Sequence, residues 1–310
     1  MTEVTDTLSP DNQVATTPKD KIDWWAEAKG IFWLILAVLA FHSFIAKPFY
    51  IPSESMVPGL LVGDRLVVSK YPYGWSHASI TIPNPVALFR RLVLRDASVE
   101  SLTVKLPEWK GRIFGRLPER GDVVIALPPG KSEDYIKRLV GLPGDRIEVR
   151  NGTLIINNVP VKRSAPTPRL VPVDANTLCE DIEYPGLFRK GPDGKDYCEL
   201  PFVRETLPNG VSYDTIDLGY KFDADDYAAI TVLADHVFLM GDNRDRSADS
   251  RFSLDQKGLG GPVPIENIGG RAEFITFSLD GTSIWWNPIS WFTALRPGRA
   301  GTSLRPDKEG

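Results

Sequence analysis

Apolar positions are distributed unevenly along this chain. Gly30 to Ala46 is one uninterrupted apolar run without a charged residue, whereas after Lys47 apolar residues come only in short stretches. A run of this length reaches the lower limit of about 17 residues for a membrane-spanning helix. Trp24, Trp25 and Trp33 toward one end, and Phe49 and Tyr50 just beyond the other, suit the two membrane interfaces. A buried core helix or an uncleaved signal-like segment gives the same pattern, but a cleavable leader would begin much nearer Met1. His42 inside the run reads as a tolerated contact residue. Lys19, Lys21 and Lys29 precede the run and Lys47 follows it, a small bias toward a cytoplasmic N-terminus with everything after Lys47 outside.

The short stretches predict strands. Val67-Val68, Val123–Ile125, Ile147–Val149, Thr153–Ile156 and Val237–Leu239 are bounded by Gly, Pro, Asp or Asn, and Asn151-Gly152 between two of them signals a hairpin. No sustained helical period follows residue 47, and Tyr73 to Leu117 gives no clear element. The expected organisation has five parts: a disordered tail over 1–28, a transmembrane helix over 29–47, and a mainly β catalytic domain from 48–159 and 235–300. A loop-rich inserted subdomain occupies 160–234, and a flexible tail 301–310. Two clusters fit either core packing or the lipid headgroup region: Pro85–Arg95, with three arginines, and Ile284–Phe292, with three tryptophans.

Charge narrows the partners. The formal net charge of -4 without a dominant basic tract excludes a dedicated nucleic-acid binder. The only cysteines, Cys179 and Cys198, lack metal-ligand spacing; they could be joined or be two separate thiols. No cofactor or metal is implied, and nothing bears on oligomeric state.

The chemistry concentrates in three segments: Ile51-Pro-Ser-Glu-Ser-Met56, Asp134-Tyr-Ile-Lys-Arg138 and Gly241-Asp-Asn-Arg-Asp-Arg-Ser-Ala-Asp-Ser-Arg251. A serine hydroxyl needs a positioned base, and an amine serves where burial leaves it neutral. Lys137 lies among apolar neighbours, so Ser55 and Lys137 point to a Ser/Lys hydrolase beside a membrane. The alternating Arg and Asp of the third segment favour ion pairs over a calcium loop. His42, His77 and His236 are not required.

In this order, the blocks resemble bacterial type I signal peptidases (leader peptidases). They are Ile51-Pro-Ser-x-Ser-Met-x-Pro58 with Gly63-Asp64, Arg120-Gly-Asp-Val123 with Tyr135–Arg138 and Gly141–Asp145, and Gly241–Arg251 with Gly270-Arg271. The resemblance implies that Ser55 is the nucleophile and Lys137 the general base. Ser247 would orient the lysine, and the Ser53 hydroxyl with the Ser55 backbone N–H would form the oxyanion hole. Phe49, Ile51, Pro52, Met56, Leu60, Tyr135 and Ile136 would line shallow pockets for small side chains, while Arg138, Asp242, Asp249 and Arg251 would form structural ion pairs.

The implied activity is removal of signal peptides from exported preproteins after Ala-x-Ala, in the inner (cytoplasmic) membrane, with lipid as a further partner. A Ser/Lys peptidase for a few dedicated substrates and a non-catalytic membrane-tethered assembly factor are the alternatives. Three places depart from the family pattern: Glu54 stands for glycine, Val57-Pro-Gly59 for Met-Pro-Thr, and Arg246 for asparagine. They are expected to affect substrate preference and loop conformation rather than mechanism.

Overall fold

The structure, a computed structural model, describes residues 23–92, 94, 103–104, 106–131 and 133–306. The expectation for residues 1–22 lies outside these. The apolar run forms a helix over Trp24–Phe44, so the expected bounds of 29–47 and the tail boundary at 28 are corrected. Asp23 caps the helix, its carboxylate accepting from the Trp25 and Ala26 N–H groups. Trp24–Lys29 contains no helix breaker, and the helix therefore starts before the apolar run does. At the other end Ala46 and Lys47 are drawn into a strand, paired with Ser69 and Val68. With 21 residues the helix is about 31 Å long, enough to cross a bilayer core. Among the described residues it is the one helix long and apolar enough to do so.

Beyond the helix the chain is mainly β, as expected. A seven-stranded antiparallel sheet runs in the order Ala46–Tyr50, Asp64–Ser69, Ile268–Ser278, Val123–Ala126, Tyr135–Gly141, His236–Met240 and Val263–Pro264. Val123–Ala126 is buried on both faces, which explains its unbroken apolar sequence. Val123 and Ile125 pack with Ile51, Met56, Leu60 and Ile136, whereas Val124 and Ala126 pack with Leu139, Val237 and Leu239. The Asn151-Gly152 hairpin joins Arg146–Arg150 to Thr153–Ile156, with both turn residues at positive φ.

Three other expectations change. The segment after Pro160 is a second, five-stranded sheet built around the long strand Asp196–Thr206, because alternation over 198–202 buries Cys198, Leu200 and Phe202 with Val57 and Ile216. Tyr227–Thr231, placed by sequence in the insertion, pairs instead with Arg146–Arg150. The C-terminal tail is tied down as far as it is described: Gly301 and Leu304 donate backbone hydrogen bonds to Ile275 and Glu273, and Arg305 pairs with Glu273 at 2.7 Å. Residues 307–310 lie outside the described residues.

Within the Tyr73–Leu117 stretch, Pro85–Leu92 forms a short helix, and Trp75 bridges to Ile113. In the Ile284–Phe292 cluster, Trp285, Trp286, Ile289, Trp291 and Phe292 are all exposed, which removes the core-packing alternative there.

Candidate active site

The segment carrying Ser55, the expected nucleophile, follows directly from the edge strand Ala46–Tyr50. Ile51 enters the core and donates its N–H to Asp64, and Gly63 N–H returns to the Ile51 carbonyl. The chain then makes one 3-10 turn, Glu54–Met56. Met56 and Leu60, 1% exposed, pin the turn to the hydrophobic core. Ser55 is held from above and below: its carbonyl accepts from Asn243 N–H at 3.2 Å, and the Glu54 carbonyl accepts from Val57 N–H and the Asn243 side chain.

Lys137 comes from the strand Tyr135–Gly141, fifth in the sheet, opposite Val124. Its Nζ reaches Ser55 Oγ at 2.8 Å and the Ile136 carbonyl at 3.0 Å. The two residues, 82 apart in sequence, thus meet in the interior. Burial lowers the Lys137 amine from 10.5 to about 8; Asp249 and Asp242 pull it back up, and Arg251 adds to the lowering. Ser53 Oγ lies 3.4 Å from Ser55 Oγ on the exposed side of the turn.

The charged residues of the third block form a buried scaffold. Arg138 clamps Asp242 through two hydrogen bonds of 2.7 Å and stacks on Tyr213. Arg251 binds Asp249 at 2.9 Å through both Nε and Nη2. Burial alone would push the Asp249 carboxyl up, but Arg251 and the Gly241 and Arg251 backbone N–H groups outweigh it and hold the carboxyl below its usual value. Arg244 pairs with Glu205 at 2.6 Å. Glu205 and Tyr213 were not singled out by sequence. The available signal was a glutamate on the buried face of the Asp196–Thr206 strand.

Not every expected contact is made. The hydrogen bond expected from Ser247 to the lysine is absent: Ser247 Oγ is buried without a partner. It lies close to Gly241 and to the Ser55 carbonyl, since a Cβ at Gly241 would collide with both. Of the expected pocket residues, Ile51, Met56, Leu60 and Ile136 are buried core residues, Phe49 and Tyr135 are half-buried, and Pro52 is exposed. A cavity of about 230 Å³ is lined by Lys47, Phe49, Val68, Ile125 and Asp134 among others; of the expected pocket residues only Phe49 lines it, and Ser55 and Lys137 do not. His236 bonds the Ala234 carbonyl away from the serine. Cys179 and Cys198 are joined. No group of His, Cys, Asp and Glu that could hold a metal occurs among the described residues.

Residues 24–277 match the family model described as signal peptidase, peptidase S26. The chain belongs to this signal peptidase family. The signal peptidase I of Rickettsia akari (strain Hartford) is 34% identical over 289 residues, covering 90% of this chain and 88% of its own. That of Rickettsia typhi (strain ATCC VR-144 / Wilmington) is 34% identical over 268 residues, covering 84% and 82%. A solved signal peptidase I from Enterococcus faecalis V583 aligns with 50% of this chain and 97% of its own at 26% identity, with a TM-score of 0.25. Membership in this serine protease family makes the chain a peptidase. The matched span includes the apolar helix as well as all three blocks.

Proposed function

We propose that this signal peptidase cleaves exported preproteins after Ala-x-Ala, with Ser55 as nucleophile and Lys137 as general base. The contact of 2.8 Å between Lys137 Nζ and Ser55 Oγ inside a buried site carries the reading. An ordinary lysine of pKa about 10.4 is neutral about once in a thousand at pH 7.4. Lowered to about 8, Lys137 is neutral about once in five. The neutral amine takes the Ser55 proton as Oγ attacks the scissile carbonyl carbon. The resulting oxyanion lies where the Ser55 N–H and the exposed Ser53 hydroxyl can donate to it. Collapse expels the amine of the mature chain, which receives the proton from the Lys137 ammonium and leaves a Ser55 ester. Water, deprotonated by Lys137, hydrolyses that ester and restores the serine.

Substrate access is supported by the edge strand. Ala46–Tyr50 pairs on one side with Asp64–Ser69 and ends the sheet, so an extended peptide can add to its outer edge and run toward Ser55. Phe49 and Tyr135 remain accessible to line small pockets there. The helix anchors the enzyme in the inner (cytoplasmic) membrane with its N-terminus cytoplasmic and the peptidase outside. Only ten residues separate Phe44 from Ser55, which keeps the nucleophile near the emerging cleavage site. The exposed aromatic cluster around Trp285 and Trp291 suits contact with lipid.

The test is cleavage of a preprotein bearing Ala-x-Ala by detergent-solubilised wild type, Ser55→Ala and Lys137→Ala, from pH 6 to 10. Cleavage after the second alanine by wild type alone is expected. Full activity of Lys137→Ala would refute the dyad, and cleavage of only a few dedicated precursors would narrow the substrate class.

A further inference from the structure

The two single-residue departures noted in the first and third blocks, Glu54 and Arg246, meet in space. Glu54 Oε2 accepts from the Tyr184 hydroxyl at 2.6 Å and faces Arg246 Nε at 3.4 Å. Arg246 stacks on the Tyr184 ring and binds Glu183 through its carboxylate at 2.5 Å and its carbonyl at 3.3 Å. Asn243, whose amide lies 3.5 Å from the same tyrosine hydroxyl, also holds the Glu54 carbonyl. Glu54 and Arg246 are both mostly buried, so the contact is not a freely solvated ion pair.

Glu183 and Tyr184 are not part of any of the three blocks. They lie in the loop closed by Cys179–Cys198. The Tyr184 ring is 2% exposed and packs in one cluster with Val57 and Cys198. Val57 follows Met56, so this loop grips the nucleophile turn twice: through the apolar contact under Val57 and through the phenol on Glu54. The turn that carries Ser55 is therefore held through its backbone by Asn243 and through a side chain, Glu54, that a glycine would lack.

We infer that Glu54 is a positioning residue that, gripped by Tyr184 and Arg246, holds Ser55 within reach of Lys137, and that the Cys179–Cys198 loop makes this grip depend on an oxidised disulfide. The inference rests on the Ser/Lys reading above. In physical terms, loosening the turn leaves the chemistry intact but lowers the fraction of time that Ser55 Oγ and Lys137 Nζ are in contact. The loss should then appear in kcat rather than KM.

The experiment measures preprotein cleavage by the detergent-solubilised full chain for wild type, Tyr184→Phe, Glu54→Gln, Glu54→Ala and Glu54→Ala/Tyr184→Phe. Tyr184→Phe removes one oxygen from a buried ring and keeps the fold testable. Tyr184→Phe and Glu54→Ala should each lower kcat about tenfold, the factor set by about 1.4 kcal/mol. KM should stay within about twofold. The double variant should be no slower than Glu54→Ala, because both remove one contact. Glu54→Gln, which still accepts from Tyr184, should recover most of the rate. Thiol reduction should slow wild type by a similar factor and leave Glu54→Ala unchanged, and the acid limb of the pH profile should not move. Unaltered kcat, multiplying effects in the double variant, or an acid limb moved toward pH 10 would overturn the inference. Wild type that cleaves nothing would instead sink the underlying Ser/Lys reading.

Discussion

Replacing Lys137 by methionine should remove activity and, at neutral pH, stabilise the protein. The folded state lowers the Lys137 amine from 10.5 to about 8. At about 1.36 kcal/mol per pH unit, this amounts to roughly 3 kcal/mol of destabilisation wherever both states carry the proton, that is, below pH 8. Between about pH 8 and 10.5 the unfolded lysine keeps its proton while the folded one has lost it, so wild-type stability rises with pH across that window. Methionine has similar length and no charge, and so avoids this cost. It forfeits the hydrogen bonds from Nζ to Ser55 Oγ and the Ile136 carbonyl, each worth about 1 kcal/mol. The variant should therefore be about 1–2 kcal/mol more stable than wild type at pH 7 and no more stable, or slightly less, above pH 10.5. Urea unfolding of the detergent-solubilised chain at pH 7, 9 and 10.5, followed by tryptophan fluorescence, measures the difference. A difference that is flat with pH, together with a wild-type activity limb near pH 10, would refute the claim that burial makes this lysine a base.

Three further outcomes follow from the same geometry. Ser247→Ala removes a buried hydroxyl without a partner, so stability should stay within about 0.5 kcal/mol; if the serine orients Lys137 once substrate is bound, kcat should still fall about tenfold. Arg138→Met leaves Asp242 buried and unpaired and should cost about 3–5 kcal/mol in denaturant unfolding. Gly241→Ala sets a methyl group against Ser247 and the Ser55 carbonyl; backbone cannot yield cheaply, so the nucleophile should shift and kcat fall up to about a hundredfold.

The apolar run and the hairpin at Asn151-Gly152 could be read from sequence, each for a local reason, whereas the pairing of Ser55 with Lys137, 82 residues apart, was legible through the resemblance of the three blocks. An uncharged stretch has few soluble alternatives, and Asn-Gly imposes its turn. Helix bounds were less legible because Trp24–Lys29 carries Glu27 and Lys29 yet is helix-competent, and because pairing with Asp64–Ser69 claimed Ala46 and Lys47. The order inside 160–234 was hidden for another reason. The strand Asp196–Thr206 gains its partners from residues up to 44 positions away, as in the pairing of Lys162 with Thr206, a non-local effect that no short window displays. Glu54 and Arg246 read as separate loop variations in sequence; only the fold makes them neighbours.

The placement of charge around Lys137 also resolves an apparent conflict. The proposed general base must be neutral to act, yet the site surrounds the Lys137 amine with Asp242 and Asp249, whose fields favour its charged form. Each carboxylate is clamped by a guanidinium, Asp242 by Arg138 and Asp249 by Arg251. From the position of the lysine, a carboxylate with its guanidinium partner is closer to a dipole than to a free charge, and its field falls off faster with distance. Burial is then the largest influence left, and it acts in the direction catalysis needs. The ion pairs thus do two jobs with the same atoms: they brace the loop that carries Ser247 beside Ser55, and they blunt the fields by which the carboxylates of that loop favour the charged form of Lys137.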